Sequence, residues 1–169
     1  RRTASVCDRR AADWRNGAVI YQGVGDRFAP PADLQAKRSL YTAPRRLRSW
    51  SEPAARGQFV PEANVWSHEL DFWGGDLQSL RSRLDYIVDL GMDVLYLNPI
   101  HAALTNHKYD ATDYLQISPE YGTWDDLKAL IADTHQRGLR LVLDGVFNHV
   151  GLASDLYQQA AADPRIRVS

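Results

Sequence analysis

Two polar segments of the chain combine carboxylate, imidazole and aromatic side chains. The first reads NPIHAALTNHKYDATDY over residues 98 to 114, and the second reads DGVFNH over residues 144 to 149. Carboxylates and amides can bond to pairs of hydroxyl groups, while aromatic rings cover the apolar faces of a pyranose ring. This mixture of side chains is typical of a site that binds sugars.

Each candidate residue in these segments also has a purely structural interpretation. Asp144 directly follows an apolar run and can equally cap its loop or bond to backbone amides. His149 can be a core histidine satisfied by a neighbour, and Tyr109 can be a packing residue. Asp110 and Asp113 are of a type that commonly forms turns. Residue type alone leaves these alternatives open.

Both polar segments follow short apolar runs that are predicted strands. The run VLYL at residues 94 to 97 precedes the first segment, and a run at about residues 139 to 143 precedes the second. A further run, AVIYQ at residues 18 to 22, is followed by glycines and predicts an earlier buried strand.

The stretches between these runs predict helices. Apolar residues at helical spacing indicate a helix from residue 77 to 90, with Gly91 at its C-terminal cap. Thr123 is predicted to cap a second helix, with Asp126 returning the bond. The face of that helix carries Leu127, Leu130, Ile131 and His135. A further helical stretch is expected near residues 153 to 162.

Alternating apolar strands and amphipathic helices predict an α/β fold with a parallel sheet covered on its faces, as in a (β/α) barrel or a doubly wound fold. No Gly-rich phosphate loop follows any strand, which disfavours the nucleotide-binding versions. Ligands of parallel α/β folds gather at the carboxyl ends of the strands. Tyr109, Asp144 and His149 are therefore expected to converge on one rim.

Two stretches do not fit this alternation. Residues 1–17 carry five arginines and are interpreted as a lead-in segment, and residues 29–72 are interpreted as a long irregular insertion interrupted by prolines. Loops of that length are uncommon unless they are functional or mobile. Trp50, Trp66 and Trp73 in or beside the insertion can be sugar platforms, but a loop-anchoring role is favoured.

The composition excludes several classes of function. The chain has 169 residues, of which 44% are hydrophobic and 24% charged, and this is typical of a soluble globular domain. A net charge of -1 gives no field that would collect nucleic acid or an anionic membrane, so a neutral ligand fits better. The single cysteine, Cys7, and the lack of an apolar leader favour a reducing, cytoplasmic location.

Several ordered segments together resemble the alpha-amylase family of glycoside hydrolases. These segments are AVIYQ, DRF at 26 to 28, GGDL at 74 to 77, LGMDVLYLNPI at 90 to 100, NHKYDATDY at 106 to 114, YGTWDDL at 121 to 127 and LVLDGVFNH at 141 to 149. Within the family, NHKYD and LVLDGVFNH look most like the neopullulanase, cyclomaltodextrinase and maltodextrin glucosidase branch. The resemblance implies that residues 18–169 form the N-terminal part, about three βα units, of a (β/α)8 TIM barrel.

The resemblance also implies roles for individual residues. Tyr109 matches a tyrosine that stacks on the sugar next to the scissile bond, and His149 matches a histidine that bonds to the same sugar. Asp144 matches an acidic residue that supports the site from the end of the third strand. Asp110 lies where relatives with exo-specificity hold the non-reducing end of the substrate. The implied partner is an alpha-glucan oligosaccharide such as starch, a maltodextrin or a cyclodextrin.

No cofactor is implied as a requirement, and calcium is the one metal that the resemblance suggests. Asn148 matches a position that ligates calcium in many members, and Asp76 and Gly74 are weaker candidates. The asparagine-rich calcium loop that often follows DRF is absent here. The sequence also departs from the family at QGVG, residues 22 to 25, and at His101 and Leu104.

The catalytic carboxylates of this family resemble residues that follow the fourth, fifth and seventh strands. Retaining glycosidases need a nucleophile and an acid/base about 5 to 5.5 Å apart, and both are expected after Ser169. The chain alone is therefore expected to be inactive and to need the remainder of its barrel as a partner. A transglycosylase or isomerase of the same family, and a non-catalytic carbohydrate-binding fragment, remain as alternatives.

Overall fold

The computed structural model of the chain describes residues 11–166, so Cys7 and most of the lead-in segment lie outside the described residues. The strands within it are β1 (Ile20–Gly23), β2 (Arg46–Leu47), β3 (Phe59–Val60), β4 (Val65–Trp66), β5 (Asp71–Phe72), β6 (Val94–Leu97), β7 (His101–Ala103), β8 (Ala111–Ile117) and β9 (Arg140–Leu143). The helices are α1 (Gly25–Phe28), α2 (Leu77–Arg81), α3 (Leu84–Asp89), α4 (Trp124–Gln136) and α5 (Asp155–Ala162).

The main sheet is parallel, with the strand order β1-β6-β9. Ile20 pairs with Val94, and Val94 pairs in turn with Arg140. The central strand β6 is the most apolar of the three, and Leu95 and Leu97 have no solvent exposure. The three strands predicted from apolar runs are confirmed, as is their parallel arrangement.

The helix predicted from residue 77 to 90 is interrupted in the structure. Helix α2 ends at Arg81, and α3 begins only at Leu84. At the break the Ser82 hydroxyl donates to the Ser79 carbonyl at 2.7 Å, which offers that carbonyl a partner outside the helical ladder. Both pieces still bury one common apolar face, which carries Leu77, Leu80, Leu84 and Ile87.

Helix α4 begins as the sequence predicts. The Asp126 carboxylate accepts from the Thr123 backbone N–H at 2.8 Å, and the Thr123 hydroxyl oxygen accepts from the Asp126 N–H at 3.2 Å, which forms a capping box. The buried face differs at one position, because Thr134 is buried and His135 is exposed. The helical stretch expected near residues 153 to 162 is confirmed as α5, which Ser154 caps.

The stretch from residue 98 to 122, for which the sequence predicts no regular element before the helix that Thr123 caps, contains an antiparallel hairpin of β7 and β8. The Asp110 carboxylate closes the bend between these strands, since it accepts from the backbone N–H of Leu104 at 3.1 Å and of Thr105 at 3.2 Å. The polar composition of the stretch concealed the hairpin, because its strands carry few apolar residues in alternation.

Residues 29–72 contain short paired elements rather than one continuous loop. Strands β2 and β5 pair in parallel, and β3 and β4 form an antiparallel hairpin. Tyr41, Leu70 and Phe72 are buried in this region, which gives it a small core. Trp73 anchors it further, because its indole N–H donates to the Glu52 carbonyl at 2.9 Å.

Lys37 ties the residue 29–72 segment to the rest of the fold. Its ammonium donates to the Gly74 carbonyl at 2.7 Å, the Asp76 carboxylate at 2.8 Å and the Glu120 carbonyl at 2.8 Å. The lysine side chain is only 12% exposed. Its ammonium thus takes the oxygens that a calcium ion bound by Gly74 and Asp76 would need, so this corner does not fit a metal site.

None of the helices between residues 11 and 166 has the length and apolar character that crossing a membrane requires.

Replacing Lys37 by Met should lower the free energy of unfolding by about 1.5 to 3 kcal/mol, because charge-assisted hydrogen bonds to partly buried oxygens are lost. The matched control is Lys128→Met. The ion pair of Lys128 with Asp125 is exposed on both sides, so this change should cost no more than about 0.5 kcal/mol. Urea unfolding followed by circular dichroism measures both values, and equal values would contradict the role of Lys37 as a tether.

Candidate functional site

The ends of the three parallel strands lie side by side. The Asn98 N–H donates to the Gly23 carbonyl at 3.0 Å, and the Asp144 N–H donates to the Leu97 carbonyl at 3.0 Å. The Gln22 amide also donates to the Asn98 side chain at 3.0 Å. These bonds place the loops after β6 and β9 on the same rim of the sheet.

Tyr109 and Asp144 meet on this rim. The Tyr109 hydroxyl donates to Oδ2 of Asp144 at 2.6 Å. This hydrogen bond, reinforced by partial burial, raises the pKa of Tyr109 to about 12. Tyr96 of β6 also faces this carboxylate, and burial, followed by a hydrogen bond to Asp144 and the charge of that carboxylate, raises the pKa of Tyr96. Both phenols therefore remain neutral well above neutral pH.

His149 joins the same group through the backbone. Its Nε2 lies 2.9 Å from the Tyr109 carbonyl oxygen, and its Nδ1 lies 3.3 Å from the Asn148 amide nitrogen. Because a carbonyl only accepts, Nε2 carries the proton and donates it. His149 is exposed, so the interpretation as a core histidine is wrong. The Tyr114 hydroxyl, 2.8 Å from the His149 carbonyl, holds this loop in place.

A cavity of about 560 Å³ opens beside these side chains, which lies within the range usual for small-molecule sites. Tyr109, Asp110 and His149 all line it. Asp144 is connected to the cavity through its bond to Tyr109. The structure thus brings together all four side chains that the sequence analysis assigned to substrate binding or to support of the site.

Asp110 has a structural task in addition to its place on the cavity wall. Its carboxylate accepts from two backbone N–H groups and from the Thr105 hydroxyl. The turn-forming interpretation therefore describes much of what this side chain does. Any contact of Asp110 with a ligand uses a carboxylate that is already oriented by the loop.

A buried ion pair supports the loop that carries Tyr109, and the sequence analysis did not identify it. Lys108 and Glu120 are 0% and 1% exposed, and the ammonium lies 2.5 Å from the carboxylate. Arg45 contacts the same carboxylate. Burial opposes ionisation of Glu120, but the two cations outweigh it and lower the pKa of that carboxyl. Charged residues are seldom fully buried unless paired, yet their pairing across 12 residues leaves no periodic signal.

The tryptophans of the insertion lie outside the cavity. Trp73 is buried, and the Arg27 guanidinium stacks over its ring at 4.4 Å. Trp50 and Trp73 line a separate, smaller hollow. Trp66 packs edge-on against Phe59 within the β3–β4 hairpin. These contacts agree with the favoured loop-anchoring role.

The surroundings of Asn148, the remaining calcium candidate, are poor in metal ligands. Its side chain is exposed and contacts His149. Among residues 11–166, no group of three or more histidine, cysteine, aspartate or glutamate side chains is arranged to hold a metal ion.

The bond between Tyr109 and Asp144 predicts how Tyr109 titrates. A raised pKa means that the neutral phenol is favoured in the folded state, so this contribution to stability is present below about pH 10 and is lost as the pH rises through about 12. Asp144→Asn should move the Tyr109 pKa back toward about 10. Tyrosine labelled at Cζ and followed by NMR measures this shift. Asp113→Asn is the control, and equal Tyr109 titrations in the two variants would contradict the assignment.

Comparison with known proteins agrees with a sugar-binding site at this rim. A family model described as alpha amylase, catalytic domain, matches residues 20–167. An intracellular maltogenic amylase of Bacillus subtilis (strain 168) is 40% identical over 150 residues, which are 88% of this chain and 22% of that protein. A cyclomaltodextrinase of Bacillus sp is 50% identical over 126 residues, which are 75% of this chain and 23% of that protein. The chain spans about a fifth of the length of these curated relatives.

Solved structures extend the likeness to the fold. The ligand-free cyclic alpha-maltosyl-(1-->6)-maltose hydrolase from Arthrobacter globiformis has a TM-score of 0.69 and 37% identity, over 90% of this chain and 30% of that one. The type III pullulan hydrolase from Thermococcus kodakarensis has a TM-score of 0.73 and 27% identity, over 90% and 27%. These neighbours imply a (β/α)8 barrel of which this chain covers part. The chain belongs to the alpha-amylase family of glycoside hydrolases.

Proposed function

We propose that this chain supplies the substrate-binding rim of a retaining alpha-glycosidase that acts on starch, maltodextrins or cyclodextrins. The observation that carries the proposal is the convergence of Tyr109, Asp144 and His149 beside one cavity in a member of the alpha-amylase family. Two of the relatives, a maltogenic amylase and a cyclomaltodextrinase, support the substrate class. The maltogenic amylase is an intracellular protein, which supports a cytoplasmic location.

Each side chain has a role that follows from its contacts. Tyr109 presents a ring that stacks on the sugar, and its hydroxyl is kept neutral by the bond to Asp144. Asp144 orients that ring and adds negative charge, which favours an oxocarbenium-like transition state. His149 donates to the sugar in exchange for its present bond to the Tyr109 carbonyl. Asp110 bonds to the non-reducing end.

The nucleophile and the acid/base belong to later strands of the barrel, beyond Ser169. Both edges of the β1-β6-β9 sheet carry exposed apolar side chains, which supports further strands beside it. Ile20 on β1 is 56% exposed, and Leu143 on β9 is 40% exposed. An apolar sheet edge of this kind is normally covered or paired. The remainder of the barrel is thus the partner of this chain.

The proposal is tested by incubating the complete enzyme with maltodextrin and β-cyclodextrin and following the first-formed product by proton NMR. We expect hydrolysis with the alpha anomer formed first, because two displacements retain configuration. The purified 169-residue chain should show no turnover. A beta product would contradict the retaining mechanism, and activity that stays with the isolated chain would contradict the location of the catalytic carboxylates.

His149→Ala tests the binding rim in the complete enzyme. A hydrogen bond that strengthens in the transition state is worth roughly 1 to 3 kcal/mol, so kcat/KM on a maltodextrin should fall by about one to two powers of ten. His135→Ala is the control, since that histidine is exposed on α4 outside the cavity. An unchanged kcat/KM for His149→Ala in folded enzyme would remove His149 from the site.

A further inference from the structure

The β3–β4 hairpin, residues 59–66, forms part of the wall of the cavity at the rim. Three residues of its turn, Glu62, Ala63 and Asn64, and the first residue of β4, Val65, line the same cavity as Tyr109 and His149. The hairpin belongs to the 29–72 segment, so a part of the chain remote in sequence from the polar loops reaches the candidate site.

Glu69 fixes this hairpin to the loop that carries Tyr109. One of its carboxylate oxygens accepts from the Trp66 backbone N–H at 2.5 Å, and the other lies 3.0 Å from Nε2 of His107. Nδ1 of His107 accepts from the Tyr109 backbone N–H at 3.1 Å, so the proton of the neutral ring is on Nε2 and is donated to Glu69. The hairpin and Tyr109 are therefore linked through two side chains.

Asn106 adds a second connection between the same segments. Its amide donates to the backbone carbonyls of His68 and Asp71, both at 2.8 Å, and its backbone N–H donates to the Glu69 carbonyl at 2.8 Å. Asn106 is only 7% exposed. These bonds fix the position of the hairpin relative to the Tyr109 ring, and a rigid position is what a residue that determines specificity requires.

The turn presents two polar side chains that are free to bind a ligand. Glu62 and Asn64 are exposed, and within residues 11–166 neither side chain makes a hydrogen bond or an ion pair. Asn64 has a φ of 53°, in the left-handed region that asparagine tolerates better than most residues. A carboxylate and an amide beside an aromatic ring are suited to the paired hydroxyl groups of a glucose unit.

We propose that the residue 59–66 hairpin determines chain-length preference, with Glu62 and Asn64 binding the hydroxyl groups of a second glucose unit next to the one held by Tyr109 and His149. This inference rests on the proposed function, because it assigns these residues to the same bound glucan. It makes longer oligosaccharides better ligands than a single glucoside.

The test compares Glu62→Ala and Asn64→Gly in the complete enzyme, with maltoheptaose and 4-nitrophenyl alpha-glucoside as substrates. Glycine at position 64 removes the amide while accepting the positive φ without strain. Each variant should raise KM for maltoheptaose roughly two- to tenfold, the effect of one hydrogen bond, with kcat and the values for the glucoside unchanged. Gln58→Ala is the matched control, since Gln58 is exposed beside the hairpin and does not line the cavity.

Equal losses on both substrates, or no loss on either, would overturn the proposal. Calorimetric affinity for maltoheptaose separates it from the proposed function, because binding is measured without turnover. Weaker binding by the Glu62 and Asn64 variants in a protein that hydrolyses no alpha-glucan would keep the hairpin as a sugar-binding wall and reject the glycosidase. Unchanged affinity of these variants in an active enzyme would keep the glycosidase and reject the hairpin as a sugar-binding wall.

Discussion

The position of Tyr109 depends on the buried ion pair that its neighbour Lys108 forms with Glu120. Neither charge has contact with solvent, and either one alone would suffer a desolvation penalty of several kcal/mol. Arg45 brings a second cation from the 29–72 segment, and the Tyr121 ring lies 4.6 Å from the ammonium. The three charged groups come from separate segments of the chain and meet only when those segments are assembled, so the rim forms as a unit.

A second buried carboxylate, that of Asp26 after β1, also joins segments that are distant in the sequence. Asp26, which has no solvent exposure, accepts from the backbone N–H groups of Trp73 and Gly74. The backbone at Gly75 packs directly against the backbone at Gly25, because a Cβ on Gly75 would lie 2.3 Å from the Gly25 carbonyl oxygen. The chain is thereby brought back beside β1 after its long excursion, and α2 can begin against the sheet. Hydrogen bonds to buried polar groups thus position the 29–72 segment, while apolar packing positions the helices.

Much of the scaffold and of the site could be predicted from the sequence, because both rest on local patterns. Apolar runs gave the three parallel strands, and Thr123 with Asp126 gave the start of α4. Ligands gather at the carboxyl ends of parallel strands, and this rule predicted that Tyr109, Asp144 and His149 lie close together. Their residue types alone also allowed purely structural roles.

What the sequence did not reveal depends on contacts between distant residues or on competition for one hydrogen bond. The ammonium of Lys37 meets oxygens 37 to 83 residues away, and nothing around Lys37 marks it as buried. The break between α2 and α3 follows from one serine hydroxyl, a residue type that helices usually tolerate at their surface.

The parallel pairing of β1 with β6 has a further consequence during synthesis, because Val19 meets its partner Asp93 only 74 residues later. At roughly 5 to 20 residues per second, an apolar strand leaves the ribosome several seconds before any partner strand exists, and nascent-chain chaperones have that interval in which to cover it.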